Sequence, residues 1–343
     1  MSFMGDNPTV SVLLPVYNAG QTVSAAVRSI LQQSYSDFEL IAVDDGSNDE
    51  TFSVLTRLAR SDSRIKLFGR PHEGLVSALN FGLRQCRGQF VARMDGDDVS
   101  RYNRLEKQVC FLRDHADTGL VSGQVSYQGD KQKNFGYCLY VEWINSLTSH
   151  HEISLNRFIE SPLAHPSVMF RKSLISMFGP YASGPFPEDY ELWLRWLEQG
   201  IKMAKIPETV LDWHDNENRL SRNHPDYSLD AFFKIKANYL ALWLKKNNPH
   251  YPEVWIWGAG RKARHRAEYL EMHQCLIKGY IDVRSNLAGN IIQGRKVRLY
   301  HDLPDKDDSF IVVYVGKRNV REEIRLYLNE NGFVEGVNYI VAA

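Results

Sequence analysis

The sequence predicts a two-domain α/β protein whose first domain is wound around a parallel sheet. Three observations carry this. Apolar runs recur as short strands, from Val10 toward Asn18, at Phe38–Val43 and at Phe90–Met94. They are nearly continuous, as in strands covered on both faces. Between them lie stretches of helical spacing, such as Thr22–Gln33, where Val23, Val27, Ile30 and Leu31 share one face. The chain of 343 residues is long for one domain, and Asn247–Pro252 forms a break of Asn and Pro suited to a boundary.

Taken in order, the first strand breaks into a loop at Pro15–Asn18 and is followed by the Thr22–Gln33 helix. Phe38–Val43 ends in Asp44-Asp45-Gly46-Ser47 and leads to a helix over Glu50–Arg60. Ile65–Phe68 is a short strand, Gly74–Cys86 a helix and Phe90–Met94 a strand. Leu105–His115 is a helix, Gly119–Val125 a strand and Tyr127–Asn134 a polar hairpin or excursion. Tyr140–Leu147 and Leu155–Glu160 read as helical pieces, and Ser167–Arg171 as a strand. His165 stands before it, where the following proline favours a non-helical conformation. Phe186–Arg195 opens a helix with Pro187 in the first turn. Ser228–Lys246 is a long amphipathic helix. The alternation of strand and helix implies right-handed crossovers and helices on both sheet faces. Ligands of such sheets bind beyond the carboxyl ends of the strands.

Composition narrows the function. Lys plus Arg equals Asp plus Glu at 41 each, so no global field draws nucleic acid or anionic lipid. Cys86, Cys110, Cys138 and Cys275 are far apart and form no C-x-x-C pair, which argues against a zinc site or a disulfide framework and for a reducing compartment. Met1–Pro8 lacks a basic segment followed by an apolar run, and no stretch reaches the ~20 apolar residues of a span. The expectation is a cytoplasmic protein without stable membrane insertion, with a place at the inner membrane face left open. The oligomeric state is unknown from sequence.

The stretch Phe90–Asp98 organises the chemistry. A strand leaves the core and ends in Asp95, Asp97 and Asp98. Clustered carboxylates resist one another's ionisation, and a hard divalent ion with oxygen ligands relieves that cost. An Asp-rich turn is the alternative reading. For Asp44 and Asp45 the alternative to a ligand role is a turn and helix cap.

Leu14-Pro15-Val16-Tyr17-Asn18, Val43-Asp44-Asp45-Gly46-Ser47 and Asp95-Gly96-Asp97-Asp98, in that order, resemble the family 2 glycosyltransferases over roughly Thr9–Ser221. The resemblance implies a GT-A fold, a UDP-sugar donor, Mn2+ or Mg2+ as cofactor, a saccharide acceptor and inversion at the anomeric carbon. By position, Pro15 and Tyr17 would line the nucleotide pocket, Asp45 would accept a hydrogen bond from uracil, and Asp44 would shape that pocket. Asp97 would hold the metal, and Asp95 the metal or the donor sugar hydroxyls, with Asp98 behind them. Arg93 and Arg104 would meet phosphate or pair with the same carboxylates. His165 would touch the diphosphate or sugar, or be a structural histidine bonded to backbone. The Glu188-Asp189 pair opening its helix would supply the catalytic base, Asp189, oriented by Glu188; stabilisation of the helix N-terminus is the alternative reading. His214 would stand near the metal, and Arg219 and Arg222 would close over the phosphates.

After the boundary, Val254–Trp257 enters Gly258-Ala259-Gly260-Arg261-Lys262-Ala263 and a helix to Glu271, and Lys278–Asp282 is a second strand. This is a strand–turn–helix G-x-G-x-x-A context, and it resembles a small Rossmann-type unit. Arg261, Lys262, Arg264 and Arg266 crowd the helix start, where an acceptor phosphate would be favoured. The expected organisation is a catalytic domain over 1–225, a connecting helix over 226–250 and the small α/β domain over 251–343. The whole also resembles the β-1,3-N-acetylglucosaminyltransferase-like group through Trp143-Ile144-Asn145, Pro187-Glu188-Asp189 and Trp257-Gly258-Ala259-Gly260. That resemblance implies an acceptor on a modified tRNA base, queuosine, as the alternative to a surface-glycan or lipid-linked saccharide precursor. Two rivals from other classes are a non-catalytic nucleotide-binding regulatory module and an NAD-dependent enzyme centred on the tail. The full set Asp45, Asp95, Asp97 and Asp189 argues against the first, and the shortness of the tail against the second.

Overall fold

The computed structural model describes residues 7–215 and 219–343, with Leu220 and Ser221 described by backbone alone. The reading of Met1–Pro8 as lacking a leader falls mostly outside the described residues. In chain order the elements are β1 (Val10–Val16), α1 (Val23–Leu31), β2 (Phe38–Asp44), α2 (Thr51–Ser61), β3 (Ile65–Gly69), α3 (Leu75–Gln85), β4 (Phe90–Arg93) and β5 (Val99–Ser100). Next come α4 (Arg104–Asp114), β6 (Thr118–Gln128), α5 (Phe135–Ser146), α6 (His150–Asn156), β7 (Met169–Arg171), α7 (Ser173–Phe178), α8 (Glu188–Glu198), β8 (Lys202–His214), α9 (Leu220–Asn223) and α10 (Leu229–Asn247). The rest is β9 (Glu253–Trp257), α11 (Arg261–Met272), β10 (Leu276–Asp282), β11 (Ile291–Ile292), β12 (Arg295–Leu299), β13 (Ile311–Val313), α12 (Arg318–Glu330) and β14 (Tyr339–Val341).

The chain packs as two compact units. One comprises 1–150, 162–184 and 200–223; the other 151–161, 185–199 and 224–343. The first holds a sheet of order β3-β2-β1-β4-β7-β6-β8-β5. β1 is fully buried along its length because both faces are covered, which is why its sequence is apolar throughout. β3, β2, β1 and β4 are parallel as expected, with Val16 level with Asp44 and Leu13 level with Arg93. The loops after β1, β2 and β4 therefore open at one edge.

The remainder corrects the all-parallel expectation: β7 runs antiparallel to both β4 and β6, and β5 antiparallel to β8. The backbone at Val168 already bonds Arg93 N–H at the carboxyl end of β4, so the strand that follows can only run back along its neighbour. Four local readings change as well. Tyr127 is not in a hairpin but in β6, which continues to Gln128 because it finds Trp213 and His214 of β8 as partners. Leu155–Glu160 is helical only at Leu155 and Asn156, where α6 ends, and a single turn follows. His165 starts a 3-10 turn over His165–Ser167, closed by the Val168 N–H on its carbonyl, so the helical conformation wins over the pre-proline bias. Pro187 stands before α8 in an extended conformation, as its cap residue.

The second unit has a six-stranded sheet of order β11-β12-β10-β9-β13-β14, parallel except for the β11–β12 pair. Its core joins Val254, Ile256, Leu270, Phe310 and Val312 to Phe158, Tyr190 and Leu194 and to Leu240 and Leu244 of α10. α8 and α10 thus share a core. Ser228 caps α10, its hydroxyl accepting the Ala231 N–H at 3.2 Å. At the turn into α11, Asp282 Oδ2 accepts the Ala259 N–H at 2.8 Å. Among the described residues, no helix is long and apolar enough to cross a membrane.

Candidate active site

β4 is fully buried and delivers the chain straight into Asp95–Asp98. Ligand oxygens of Asp95, Asp97 and Asp98 lie within 4.8 Å of one another. Burial and the neighbouring Asp95 push the Asp97 carboxyl up; burial, Asp95 and Asp97 push Asp98 well above the usual carboxylate range. Asp98 Oδ1 accepts the His214 N–H at 2.8 Å, while its buried Oδ2 has no hydrogen-bond partner among the described residues. A buried carboxylate oxygen left without a donor costs free energy, and a cation at this point supplies what it lacks. The three acids therefore fit a hard divalent ion with oxygen ligands, Mn2+ or Mg2+.

Two arginines support this loop from below. Arg93 is buried, pairs with Asp95 Oδ1 at 2.5 Å and donates to the Met94 carbonyl. Arg104 is fully buried; its Nη2 donates to the carbonyls of Arg93 at 2.7 Å and Val168 at 3.3 Å, and its Nε to Gln108 Oε1 at 3.1 Å. Burial brings Arg104 down to about 9 against the pull of Asp98. Its donors are used to fix backbone at the end of β4. His165 is buried beside Arg93, with Nε2 2.7 Å from the Tyr181 hydroxyl. Burial, and secondarily Arg93, hold its imidazole well below the ordinary histidine range, so the ring is neutral.

On the other side of the same edge, Asp45 is buried and accepts the Glu73 N–H at 3.1 Å and the Gly74 N–H at 2.9 Å. It thus caps the approach to α3, whereas Asp49 bonds the Thr51 N–H at the start of α2. Asp45 Oδ2 is also 2.8 Å from Nδ1 of His72, whose ring stacks on Tyr17. Nδ1 also lies 3.0 Å from the Asp45 backbone carbonyl, which can only accept, so Nδ1 carries the hydrogen. Asp44 Oδ2 takes the Ser47 N–H at 3.2 Å, and Pro15 sits level with Val43 in the sheet. Gly46 makes this turn at φ +76°; a Cβ there would stand 2.6 Å from His72 N.

At the end of β8, His214 Nδ1 is buried without a hydrogen-bond partner among the described residues. Next to it Asp215 accepts from Tyr127 Oη at 2.5 Å, from Asn134 Nδ2 at 3.1 Å and from Arg222. Arg222 is thus anchored to Asp215. The Arg219 guanidinium lies 4.6 Å over the Trp213 ring and bonds the Tyr137 hydroxyl at 3.2 Å. Burial opposes its charge, but Tyr137 and then Asp98, Asp95 and Asp97 outweigh burial and raise it. Arg219 therefore belongs electrostatically to the acidic loop.

In the second unit, α8 begins with Glu188 and Asp189. Glu188 is buried and accepts from the Tyr227 hydroxyl. Asp189 is only half-buried, and its Oδ1 takes the Tyr190 N–H at 2.7 Å. Sequence reasoning missed His72 and Tyr227. Each lies far along the chain from its carboxylate partner, and nothing local in Pro71-His72-Glu73 or Asp226-Tyr227 marks it.

The sequence profile of glycosyl transferase family 2 matches residues 11–178. The O-antigen biosynthesis glycosyltransferase WbnJ of Escherichia coli is 30% identical over 242 residues, 69% of this chain and 89% of that one. The E. coli UDP-Gal:alpha-D-GlcNAc-diphosphoundecaprenol beta-1,3-galactosyltransferase is 32% identical over 238 residues, 68% of this chain and 83% of that one. Among solved structures, S. aureus TarS 1–349 in complex with UDP-GlcNAc superposes with a TM-score of 0.52 at 17% identity, covering 77% of this chain and 71% of that one. The mannosyltransferase PcManGT of Pyrobaculum calidifontis, in complex with GDP-Man and Mn2+, gives 0.50 at 20% identity, covering 70% of this chain and 64% of that one. These similarities place the first sheet among GT-A transferases.

Proposed function

The chain belongs to glycosyl transferase family 2, an enzyme family of nucleotide-sugar users, and from that premise we propose that it moves a hexose from a UDP-sugar, with inversion, to a hydroxyl of a surface-glycan or lipid-linked saccharide precursor. The observation that supports this best is the carboxylate trio Asp95, Asp97 and Asp98 beyond β4, with a buried Asp98 oxygen lacking a donor among the described residues. These residues, with His214 beside them, would hold Mn2+ or Mg2+. A divalent ion, when bound, would neutralise charge developing on the leaving diphosphate. Pro15, Tyr17, Asp44 and Asp45 form the nucleotide side. Arg219 and Arg222 would close over the phosphates, with Arg93 and the neutral His165 behind them.

In the reaction, an acceptor oxygen attacks the anomeric carbon as the bond from that carbon to the diphosphate oxygen breaks. UDP leaves with the bonding electron pair, and the acceptor proton passes to a carboxylate, Asp189. Base catalysis of this kind contributes about 10²–10⁴-fold. Asp189 suits the role because it is partly open to solvent, whereas Glu188 beside it is buried and held. In the second unit, Asp282 spends both oxygens on the Ala259 N–H and on Arg284. That supports a scaffold over a dinucleotide site.

The test is a donor-by-acceptor screen with Mn2+ that includes lipid-linked saccharides and total tRNA. Transfer to the lipid-linked saccharide is expected. Transfer to tRNA alone would move the acceptor to the queuosine reading. Absence of metal-dependent UDP binding by calorimetry would remove the donor reading altogether.

A further inference from the structure

α8 lies along α10 and the turn before it, and three of its acidic side chains are gripped from there. The Tyr227 hydroxyl donates to Glu188 Oε2, the Tyr239 hydroxyl to Glu191 Oε1 at 2.5 Å, and Lys246 pairs with Glu198. The seam is reinforced by Tyr190, whose ring lies 5.4 Å from Phe232 and whose hydroxyl donates to the Arg157 carbonyl at 2.6 Å.

The Tyr227 contact differs from the other two in where it acts. It reaches the first residue of the helix, adjacent to Asp189. Tyr227 is itself held in a 3-10 turn over Pro225–Tyr227. That turn is closed by the Tyr227 N–H on the His224 carbonyl at 3.0 Å and the Ser228 N–H on the Pro225 carbonyl at 2.9 Å. It runs directly into the capped start of α10. A phenol presented from so short and closed a turn fixes the carboxylate it touches.

The geometry points to Tyr227 as a positioning residue for the catalytic carboxylate pair, an assignment that rests on the reading of Asp189 as base. Two consequences follow from the chemistry of a donated hydrogen bond. The bond favours the ionised form of Glu188, which keeps a negative charge beside Asp189 and sustains its basicity. It also fixes the first turn of α8, so the Asp189 side chain leaves the helix in one direction. Without the phenol hydroxyl, Glu188 competes for the proton and the pair protonates at higher pH.

The experiment uses the full chain with Mn2+ and measures hydrolysis of UDP-galactose and UDP-N-acetylglucosamine, water serving as acceptor. The variants are Tyr227→Phe, Tyr239→Phe and Asp189→Asn. Tyr239→Phe deletes the same kind of bond on the same seam, at Glu191, three residues along the helix from Glu188. Both phenylalanine variants are expected to lower Tm alike. Tyr227→Phe alone should lower kcat about 10-fold, leave the donor KM unchanged and move the acid limb of the kcat/KM profile upward by about half a pH unit or more. A Tyr227→Phe enzyme with wild-type kcat and acid limb, or a Tyr239→Phe enzyme that matches it in both, overturns the assignment. If Asp189→Asn hydrolyses donor at the wild-type rate, the base reading itself falls and takes this one with it. If neither sugar nucleotide is turned over while UDP still binds, the same follows.

Discussion

The rings of Tyr17 and His72 lie face to face, 4.1 Å apart and 17° from parallel. Both are substantially exposed, and behind them Asp45 holds His72 by Nδ1. A carboxylate thus orients an imidazole, which in turn backs a phenol ring at the edge proposed for the nucleobase. Removing His72 leaves Tyr17 without its backing. An aromatic pair contributes about 0.5–1.5 kcal/mol beyond area burial. His72→Ala should therefore weaken UDP binding about 3- to 10-fold in calorimetry, whereas His72→Phe should keep most of the affinity. Equal affinity of His72→Ala and wild type would show that the stack has no part in binding.

Asp97→Asn removes one of three mutually repelling carboxylates. In metal-free buffer the variant should melt at a higher temperature than wild type, because like charges held together cost stability. Added Mn2+ should raise the wild-type Tm and leave the variant's nearly unchanged, since a ligand stabilises only what binds it. Scanning calorimetry with and without EDTA reads both signs. A variant that still responds to Mn2+ as wild type does would place the ion elsewhere.

His165 gives a pH-dependent term. Its folded-state value lies below the ordinary histidine value, chiefly from burial. On acidification the unfolded chain takes up the proton near pH 6.5 and the folded chain does not. The neutral ring's contribution is thus complete above that pH and is lost progressively as pH falls toward the folded-state value. The urea midpoint of wild type minus that of His165→Gln should shrink between pH 7.5 and 5. A constant difference would contradict a buried neutral imidazole.

Gly46→Ala should destabilise the protein by roughly 2 kcal/mol, because positive φ disfavours any Cβ and the space is filled by His72 backbone. The displaced His72 should also carry the defect into UDP affinity. A thermal melt paired with calorimetry checks both. Loss of stability with unaltered affinity would separate the turn from the pocket.

Much of the fold was legible because its causes are local. Val10–Val16, Phe38–Asp44 and Phe90–Arg93 are buried on all sides, and that requirement writes itself as an apolar run. The helices between them carry one apolar face. β7 was read as a strand, but not its direction, which depends on the backbone at Val168 being tied to Arg93. The β11–β12 pair went unread because two residues of Ile and a basic stretch carry no strong period.

By itself the sequence determined which residues can bear charge at the strand ends: Asp44 and Asp45 come at the end of β2 and Asp95, Asp97 and Asp98 in the loop after β4, and a strand's length and polarity are properties of contiguous residues. Only the tertiary structure decided what those charges meet. His72 reaches Asp45 across 27 residues and Tyr227 reaches Glu188 across 39. A hydrogen bond between distant side chains depends on the path of the backbone that brings them together, and no local stretch of sequence records that path.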